Sequence, residues 1–365
     1  MYVWPGINAL PLSCSAKNAS PSDRICSRSG LDCWTCFCGV GILGSGLKLS
    51  DEGDGLTRGE SYSPHHLRKI GPIHTLAKVH TIVTSDSRSR LILLTGATGF
   101  VGRQVLRALV EQNCKVRLIV RDASRSKVAQ SDEIEAVIAT PDMWSESIEW
   151  CADVCRNVDS VIHAAWYAEP GQYLLSPRNL DCLAGTLRLS QGASRAKVRR
   201  LVGIGTCFEY DLSAGHLTVA TPLRPTSPYA AAKAAAYLVL SQYLPQQGLE
   251  FAWCRLFYLY GEGEDERRLM PYLRARLAAG EPAELSNGTQ IRDYLDVREA
   301  GRMIAECALG SEQGSVNICS GTPVTVRALA ERIADEFGRR YLLRFGARPD
   351  NLVDPPCVVG VRAAN

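Results

Sequence analysis

Leu91-Ile-Leu-Leu-Thr-Gly96-Ala-Thr-Gly99-Phe-Val-Gly102 is a short apolar run that stops at a Gly-x-x-Gly-x-x-Gly turn. An amphipathic helical pattern follows at once, through Val105, Leu106, Leu109 and Val110. Strand, glycine turn, helix is the context that a dinucleotide-binding turn requires. Glycines let the backbone bend sharply and come close to a pyrophosphate, and the free N–H groups of a helix start attract its charge.

Downstream of this turn the pattern keeps alternating. Lys115–Val120, Ile134–Ala139, Ser160–Ala165, Arg200–Ile204 and Glu250–Arg255 read as further strands. Helices are predicted over Asn179–Ser194 and over Tyr229 to about Tyr243, the second announced by Ser227 as cap and Pro228 in the first turn. The fold class is therefore α/β, a Rossmann-type doubly wound parallel sheet covering residues 90–256. Beyond Phe257 shorter elements alternate with Gly and Pro, so residues 257–365 are expected to form a smaller C-terminal substrate lobe. Residues 1–89 are rich in Gly, Ser, Asp and Arg with weak periodicity, and read as a disordered or non-native extension. They show no secretory signal, and the acidic Asp51-Glu-Gly-Asp54 speaks against a transit peptide.

A chain of 365 residues holds one large α/β domain, or such a domain with a smaller lobe. A net charge of +3 gives no electrostatic grip on nucleic acid. No apolar run reaches the roughly 18–20 residues needed to cross a bilayer, so no membrane partner is expected. Of the fourteen cysteines, Cys14, Cys26, Cys33, Cys36 and Cys38 lie in the first forty residues. The Cys36-x-Cys38 gap is too tight for an ordinary zinc knuckle and no His is close, so no metal site is expected. The remainder are scattered singly among apolar residues, as in Cys254, Cys307 and Cys319, which suits a reducing, cytoplasmic setting.

Tyr229-Ala-Ala-Ala-Lys233 places a phenol and an ammonium one helical turn apart on one face. A free tyrosine hydroxyl has a pKa of ~10, and a neighbouring cation favours its phenolate. Thr206 lies just past a strand, where a parallel sheet presents its carboxyl-end loops to ligand, and its hydroxyl can donate to a carbonyl oxygen. Taken alone each motif has an ordinary reading: a buried aromatic, a solvated lysine, a turn hydroxyl satisfying local backbone. Their order along the chain favours a site. The segment Trp166-Tyr-Ala-Glu169-Pro-Gly-Gln-Tyr173, after the fourth strand, is expected to line the substrate cleft, and Glu209-Tyr210-Asp211 to shape a sugar pocket.

Together these motifs resemble the extended short-chain dehydrogenases/reductases, in the branch of nucleotide-sugar epimerases, dehydratases and 4-ketoreductases. The resemblance runs from about Leu91 to about Asp354. It rests on Gly96, Gly99 and Gly102; on Gly205-Thr206-Cys-Phe-Glu-Tyr210-Asp211; on Tyr229 and Lys233; on Arg255-Leu-Phe-Tyr258-Leu-Tyr260-Gly261; on Ile291-Arg292-Asp293-Tyr294-Leu-Asp296-Val297; and on Val316-Asn317-Ile318-Cys-Ser-Gly321. It implies an NAD(P)-dependent oxidoreductase with Thr206, Tyr229 and Lys233 as the catalytic set. Cofactor contacts would come from Gly96, Thr98, Gly99, Phe100, Val101 and Gly102, from Arg121, from Asp142 and Met143, from Ala164 and Ala165, and from Tyr229 and Lys233. Substrate contacts are implied for Trp166, Glu169, Thr206 and Arg292, the last to the diphosphate of a nucleotide-linked sugar, with a salt bridge to Asp293 or Asp296 as its ordinary alternative. Asn179 enters on the substrate side as supporting architecture. A homodimer through the two helices containing Asn179–Ser194 and Tyr229–Tyr243 is also implied. In this family a helix and tail normally follow the equivalent of Asp354-Pro-Pro356, so the substrate lobe is expected to be shortened here.

Arg121 stands where an acidic residue would bind the adenosine ribose of NAD, and Ser124 and Arg125 follow it. Two cations and a hydroxyl favour a 2′-phosphate, although Asp122 blurs the pattern, so NADP is preferred over NAD. Cys207 and Phe208 stand where the related dehydratases carry an Asp-Glu pair, which argues against water loss. Tyr258 replaces an asparagine common in the epimerases. The expected reaction is reduction of a 4-keto-6-deoxy nucleotide sugar with a tyrosine proton donor. The alternatives are a 4-epimerase with retained NAD and, from another class, a non-catalytic NADP-sensing protein.

Overall fold

Leu91–Leu94 is apolar on both faces because helices cover both faces of the strand that it forms: all of β1 (Leu91–Thr95) is buried. The computed structural model describes residues 89–122, 128, 130–351 and 354–362. The expectations for residues 1–88, with the Cys33/Cys36/Cys38 group, and for Ser124 and Arg125 lie outside the described residues.

The chain continues through α1 (Phe100–Glu111), β2 (Lys115–Arg121), β3 (Ile134–Thr140), α2 (Ile148–Val154), β4 (Ser160–His163), α3 (Arg178–Arg195), β5 (Arg200–Thr206), β6 (His216–Leu217), α4 (Pro228–Gln246) and β7 (Glu250–Leu256). There follow β8 (Tyr258–Tyr260), α5 (Leu269–Ala279), β9 (Ala283–Leu285), β10 (Ile291–Asp296), α6 (Val297–Leu309), β11 (Gly314–Ile318), β12 (Pro323–Thr325), α7 (Val326–Glu336), β13 (Leu343–Phe345) and β14 (Cys357–Gly360).

The first sheet has seven parallel strands in the order β11-β7-β5-β4-β1-β2-β3. One core, with Ile92, Leu94, Val105, Leu109, Val202, Cys254 and Ile304, lies under α1 and α6. The other, with Leu93, Cys151, Val161, Leu189, Ala236, Leu240 and Trp253, lies under α2, α3 and α4. Each fully buried leucine contributes about 1.5–3 kcal/mol by leaving water, so the alternation of β1 between the two cores welds both layers to one strand. Helices on both faces of a parallel sheet make this the doubly wound Rossmann-type fold.

Ser227 caps α4 by accepting the Ala230 N–H, with Pro228 in the first turn, as its sequence predicts. The division expected at residue 256 needs correction. α6 packs on α1, and β11 completes the first sheet beside β7, so residues 297–318 return to the first layer. The second sheet has the order β12-β10-β14-β6, with β8 also pairing β10. A further core of Leu273, Leu277, Leu285, Leu329 and Ile333 joins α5, α7, β9 and β13. Asp293 on β10 is fully buried and accepts N–H groups from Ser320, Gly321 and Gly360, which ties β14 to the turn after β11. The cysteines of the described residues are free thiols, all buried except the half-exposed Cys357. Among the described residues no helix is long and apolar enough to cross a membrane.

Candidate active site

The glycine turn joins β1 to α1 at the carboxyl edge of the first sheet. Gly96 has φ +75°, a left-handed conformation that favours glycine. A Cβ there would lie 2.7 Å from the Ala165 nitrogen, so Gly96 lets two backbones touch. A Cβ on Gly102 would collide with the Gly96 carbonyl, so the third glycine lets α1 lie against the turn. Gly99 differs: it is exposed, and only the Gly96 carbonyl, at 3.3 Å, approaches its Cβ position. It begins α1 without a side-chain cap. An open glycine before an uncapped helix start fits the pyrophosphate of a dinucleotide. Thr98, Phe100 and Val101 are half-buried around this opening.

Behind the turn lies a relay that the sequence reading missed. Thr186 Oγ1 donates to the Cys182 carbonyl at 2.7 Å, which uses its only proton. His163 Nε2, 2.9 Å from that oxygen, must therefore donate to it. Burial, with Lys233 adding to it, lowers the His163 pKa to about 3, so the ring is neutral and Nδ1 accepts from Thr95 Oγ1 at 2.9 Å. Thr95 Oγ1 in turn accepts the Ala165 N–H at 3.1 Å. One fixed imidazole tautomer thus anchors the Ala164–Ala165 backbone beside Gly96. Thr95 and His163 are register partners on adjacent strands. The available signal was a polar residue closing each of two apolar strands.

Thr206 ends β5 and is buried. Its side chain accepts the Phe208 N–H at 3.3 Å, and its own N–H donates to Glu209 Oε1 at 2.8 Å. This reciprocal capping box holds the hydroxyl in place and leaves its proton to point elsewhere. The expectation that Glu209 and Tyr210 shape a sugar pocket is corrected. Glu209 is fully buried and also accepts from Trp253 Nε1 at 3.0 Å and Arg255 Nε at 2.7 Å. Arg255 donates on to the Tyr210 hydroxyl at 3.0 Å, and that hydroxyl donates to Asn317 Oδ1 at 2.7 Å. These groups form a scaffold under Thr206. Asp211 accepts the Ser213 N–H as the cap of a short turn.

Lys233, one turn into α4 beyond Tyr229, is also buried. Its Nζ donates to the Ile204 carbonyl at 2.6 Å and sits 3.7 Å from the centroid of the Trp166 ring. Burial lowers its pKa to about 7 against the opposing pull of Glu209 and Cys182. Tyr229 meets Trp166 edge-on with centroids 6.4 Å apart, and Tyr173 at 4.7 Å. Its N–H donates to the Leu174 carbonyl. Trp166, Tyr229 and Lys233 are thus gathered together, beside the strand end that carries Thr206.

The remaining expected positions fall out differently. Asn179 spends its side chain on the 166–176 loop: Oδ1 accepts from Trp166 Nε1 at 2.9 Å, and Nδ2 donates to the Tyr173 and Ser176 carbonyls. It is a loop anchor, with both N–H groups of its amide committed to the loop's carbonyls. Met143 is packed in the core under α2 and α3, while Asp142 accepts the Trp144 N–H in the turn after β3. Glu169 is exposed and pairs with Arg267 at 3.4 Å. Arg121 ends β2 and is exposed, as is Asp122. Arg292 is buried, and pairs with Asp354 at 2.6 Å rather than with Asp293 or Asp296. Its guanidinium lies 5.3 Å from the Tyr258 ring, which meets Phe208 and Tyr294 in an aromatic wall. A diphosphate reaching Arg292 would compete with Asp354.

The model of the NAD dependent epimerase/dehydratase family matches residues 92–319. The dTDP-6-deoxy-L-talose 4-dehydrogenase (NAD(+)) of Aggregatibacter actinomycetemcomitans is 25% identical over 275 residues, which cover 74% of this chain and 99% of that protein. A dTDP-glucose 4,6-dehydratase of Streptomyces griseus is 28% identical over 257 residues, covering 68% of this chain and 78% of that one. Among solved structures, a UDP-N-acetylglucosamine 4-epimerase from Methanobrevibacter ruminantium M1 superposes with a TM-score of 0.67 at 20% identity, over 76% of this chain and 90% of that chain. The dTDP-glucose 4,6-dehydratase DesIV from Streptomyces venezuelae, with NAD and TYD bound, gives 0.63 at 25% identity, over 74% and 88%.

Proposed function

Because the chain belongs to the NAD dependent epimerase/dehydratase family of extended short-chain dehydrogenases/reductases, we propose that it reduces the C4 ketone of a 4-keto-6-deoxy nucleotide sugar, with NADPH as reductant. The observation that carries this reading is the gathering of Lys233, Trp166 and Tyr229 beside the Ile204–Thr206 strand end. When bound, the nicotinamide supplies the hydride. The residues of this chain supply the remainder. Tyr229 gives its proton to the C4 oxygen as charge develops there. Thr206, already accepting from Phe208, donates its hydroxyl proton to the same oxygen. Lys233 has three N–H groups, of which one reaches the Ile204 carbonyl while the ammonium lies over Trp166, and a further one would serve a cofactor ribose hydroxyl or the Tyr229 oxygen.

Two features favour reduction over dehydration. Cys207 is buried with its thiol pushed well up by burial, and Phe208 carries no proton, so neither serves as the acid–base pair that water loss needs. The name of the Aggregatibacter relative, a 6-deoxy-talose 4-dehydrogenase, describes the same C4 redox couple in the oxidative direction. NADP is preferred because Arg121 ends β2 where a ribose-binding carboxylate would exclude a 2′-phosphate. We assign Gly96, Gly99 and Gly102 to the pyrophosphate turn, and Ala164 and Ala165 to the nicotinamide side. A homodimer through α3 and α4 is supported by exposed Leu180, Leu238 and Val239 on these neighbouring helices. The test is a panel of nucleotide-linked 4-keto-6-deoxy sugars with NADPH and NADH. Steady loss of reduced-cofactor absorbance supports the reading. Interconversion of C4 epimers without net absorbance change would replace it with 4-epimerisation, the activity named for the Methanobrevibacter structural neighbour.

A further inference from the structure

We propose that Trp166 is a positioning residue that keeps Lys233 charged and aimed at the reacting groups by offering its ring as the counter-surface of the ammonium. The inference rests on the preceding reading of Lys233 and Tyr229 as the working pair. It moves Trp166 out of the substrate wall, where its place after the fourth strand had put it.

A buried ammonium normally needs a carboxylate. Among the described residues Lys233 makes no ion pair within 4.0 Å, while the residue is only 3% exposed. Glu209, Cys182 and His163 are coupled to it electrostatically, and Tyr229 shares its helix face. Glu209, in the turn after β5, is committed to Arg255, Trp253 and the Thr206 N–H. His163 on β4 is neutral and fixed between Thr95 and Thr186. Cys182 on α3 receives the Tyr167 N–H at 3.3 Å. Tyr229 lies one turn back on α4 itself. What faces Nζ closely is the Ile204 carbonyl at 2.6 Å and the indole at 3.7 Å, with the Trp253 ring farther off at 5.9 Å. A desolvated cation over an indole face is strongly attracted, and indole is the best of the aromatic rings for this.

The indole is also held rigidly. Nε1 donates to Asn179, and the ring edges meet Tyr229 and Trp144, each at 6.4 Å between centroids. Asn179 is in turn locked to the Tyr173 and Ser176 carbonyls. A ring fixed on three sides is a plate against which the lysine rests, and is not free to swing onto a sugar. Burial lowers the Lys233 pKa, so a contact that favours the ammonium bears directly on how much of the lysine stays charged.

The test follows the Lys233 side chain by 13C NMR of lysine-labelled, cofactor-free protein, its signal assigned by absence in Lys233→Met. Trp166→Leu is expected to lower the titration midpoint by about 1 pH unit, and Trp166→Phe to restore most of that shift. The alkaline limb of kcat should move down with the midpoint, while KM for the sugar changes little. A leucine variant that titrates like wild type, or like the phenylalanine variant, overturns the inference. Should the leucine variant fail to fold, fluorinated tryptophans weaken the ring face without changing its shape. The midpoint must then fall stepwise with fluorine number, and a constant midpoint is the refuting result. Full activity in Lys233→Met would overturn the functional reading instead, leaving the NMR result to judge the Trp166–Lys233 contact by itself.

Discussion

Glu209→Gln should destabilise the protein out of proportion to the single oxygen that it changes. Glu209 and Arg255 are 0% and 1% exposed, and their 2.7 Å pair is the hub of a network reaching Thr206, Trp253, Tyr210 and Asn317. Removing one partner of a buried pair leaves the other charge uncompensated, at about 3–5 kcal/mol. Glutamine keeps one oxygen for Trp253 and the Thr206 N–H but sets its NH2 against Arg255 Nε–H, donor to donor. The lower end, about 3 kcal/mol, is therefore expected. For a domain of this size that lowers Tm by about 6–12 °C. Scanning calorimetry with urea titration measures it. The double variant Glu209→Gln, Arg255→Met should regain part of the loss, because it removes the orphaned cation. A Glu209→Gln protein within about 0.5 kcal/mol of wild type, or a double variant no better than the single one, would refute the argument. kcat should also fall at temperatures where the variant is folded, since the glutamate fixes the turn that holds Thr206.

Tyr229→Phe should lower kcat at least about 100-fold while cofactor affinity, read by fluorescence titration, stays within a few-fold of wild type. Gly96→Ala combines a left-handed backbone with a Cβ 2.7 Å from the Ala165 nitrogen; it should cost about 1–3 kcal/mol by calorimetry and weaken cofactor binding more than sugar binding. His163 is held neutral, with a pKa of about 3 against 6.5, so between those values the unfolded chain binds the extra proton. Stability should therefore fall as pH drops below about 6.5, by up to roughly 1.4 kcal/mol per pH unit from this group. Urea midpoints between pH 4 and 7 should show a shallower slope in His163→Gln, and an unchanged slope would count against the relay.

The first sheet was legible because both of its faces are covered. A doubly covered strand has an apolar middle, so Leu91–Leu94 in β1, Val161 and Ile162 in β4 and Leu201, Val202 and Ile204 in β5 stand out, and Gly96, Gly99 and Gly102 mark the turn between the first of these strands and α1. The elements that escaped are those whose reasons lie in distant chain. Nothing local announces that β11 will close the first sheet beside β7, or that α6 will cover the face it shares with α1. The same holds within the site. Tyr229 and Lys233 are four residues apart on one helix, a spacing that carries its own geometry. Glu209 and Arg255 are 46 residues apart and meet only because β5 and β7 pair in register. A charged residue read in sequence looks like surface or substrate contact until its partner is known. That is why Glu209 is expected at a sugar pocket, and why its work, holding the Thr206 N–H, emerges only from the folded chain. Asn179, read as supporting architecture, gets its particular task only when the Trp166 indole and the Tyr173 and Ser176 carbonyls come within reach.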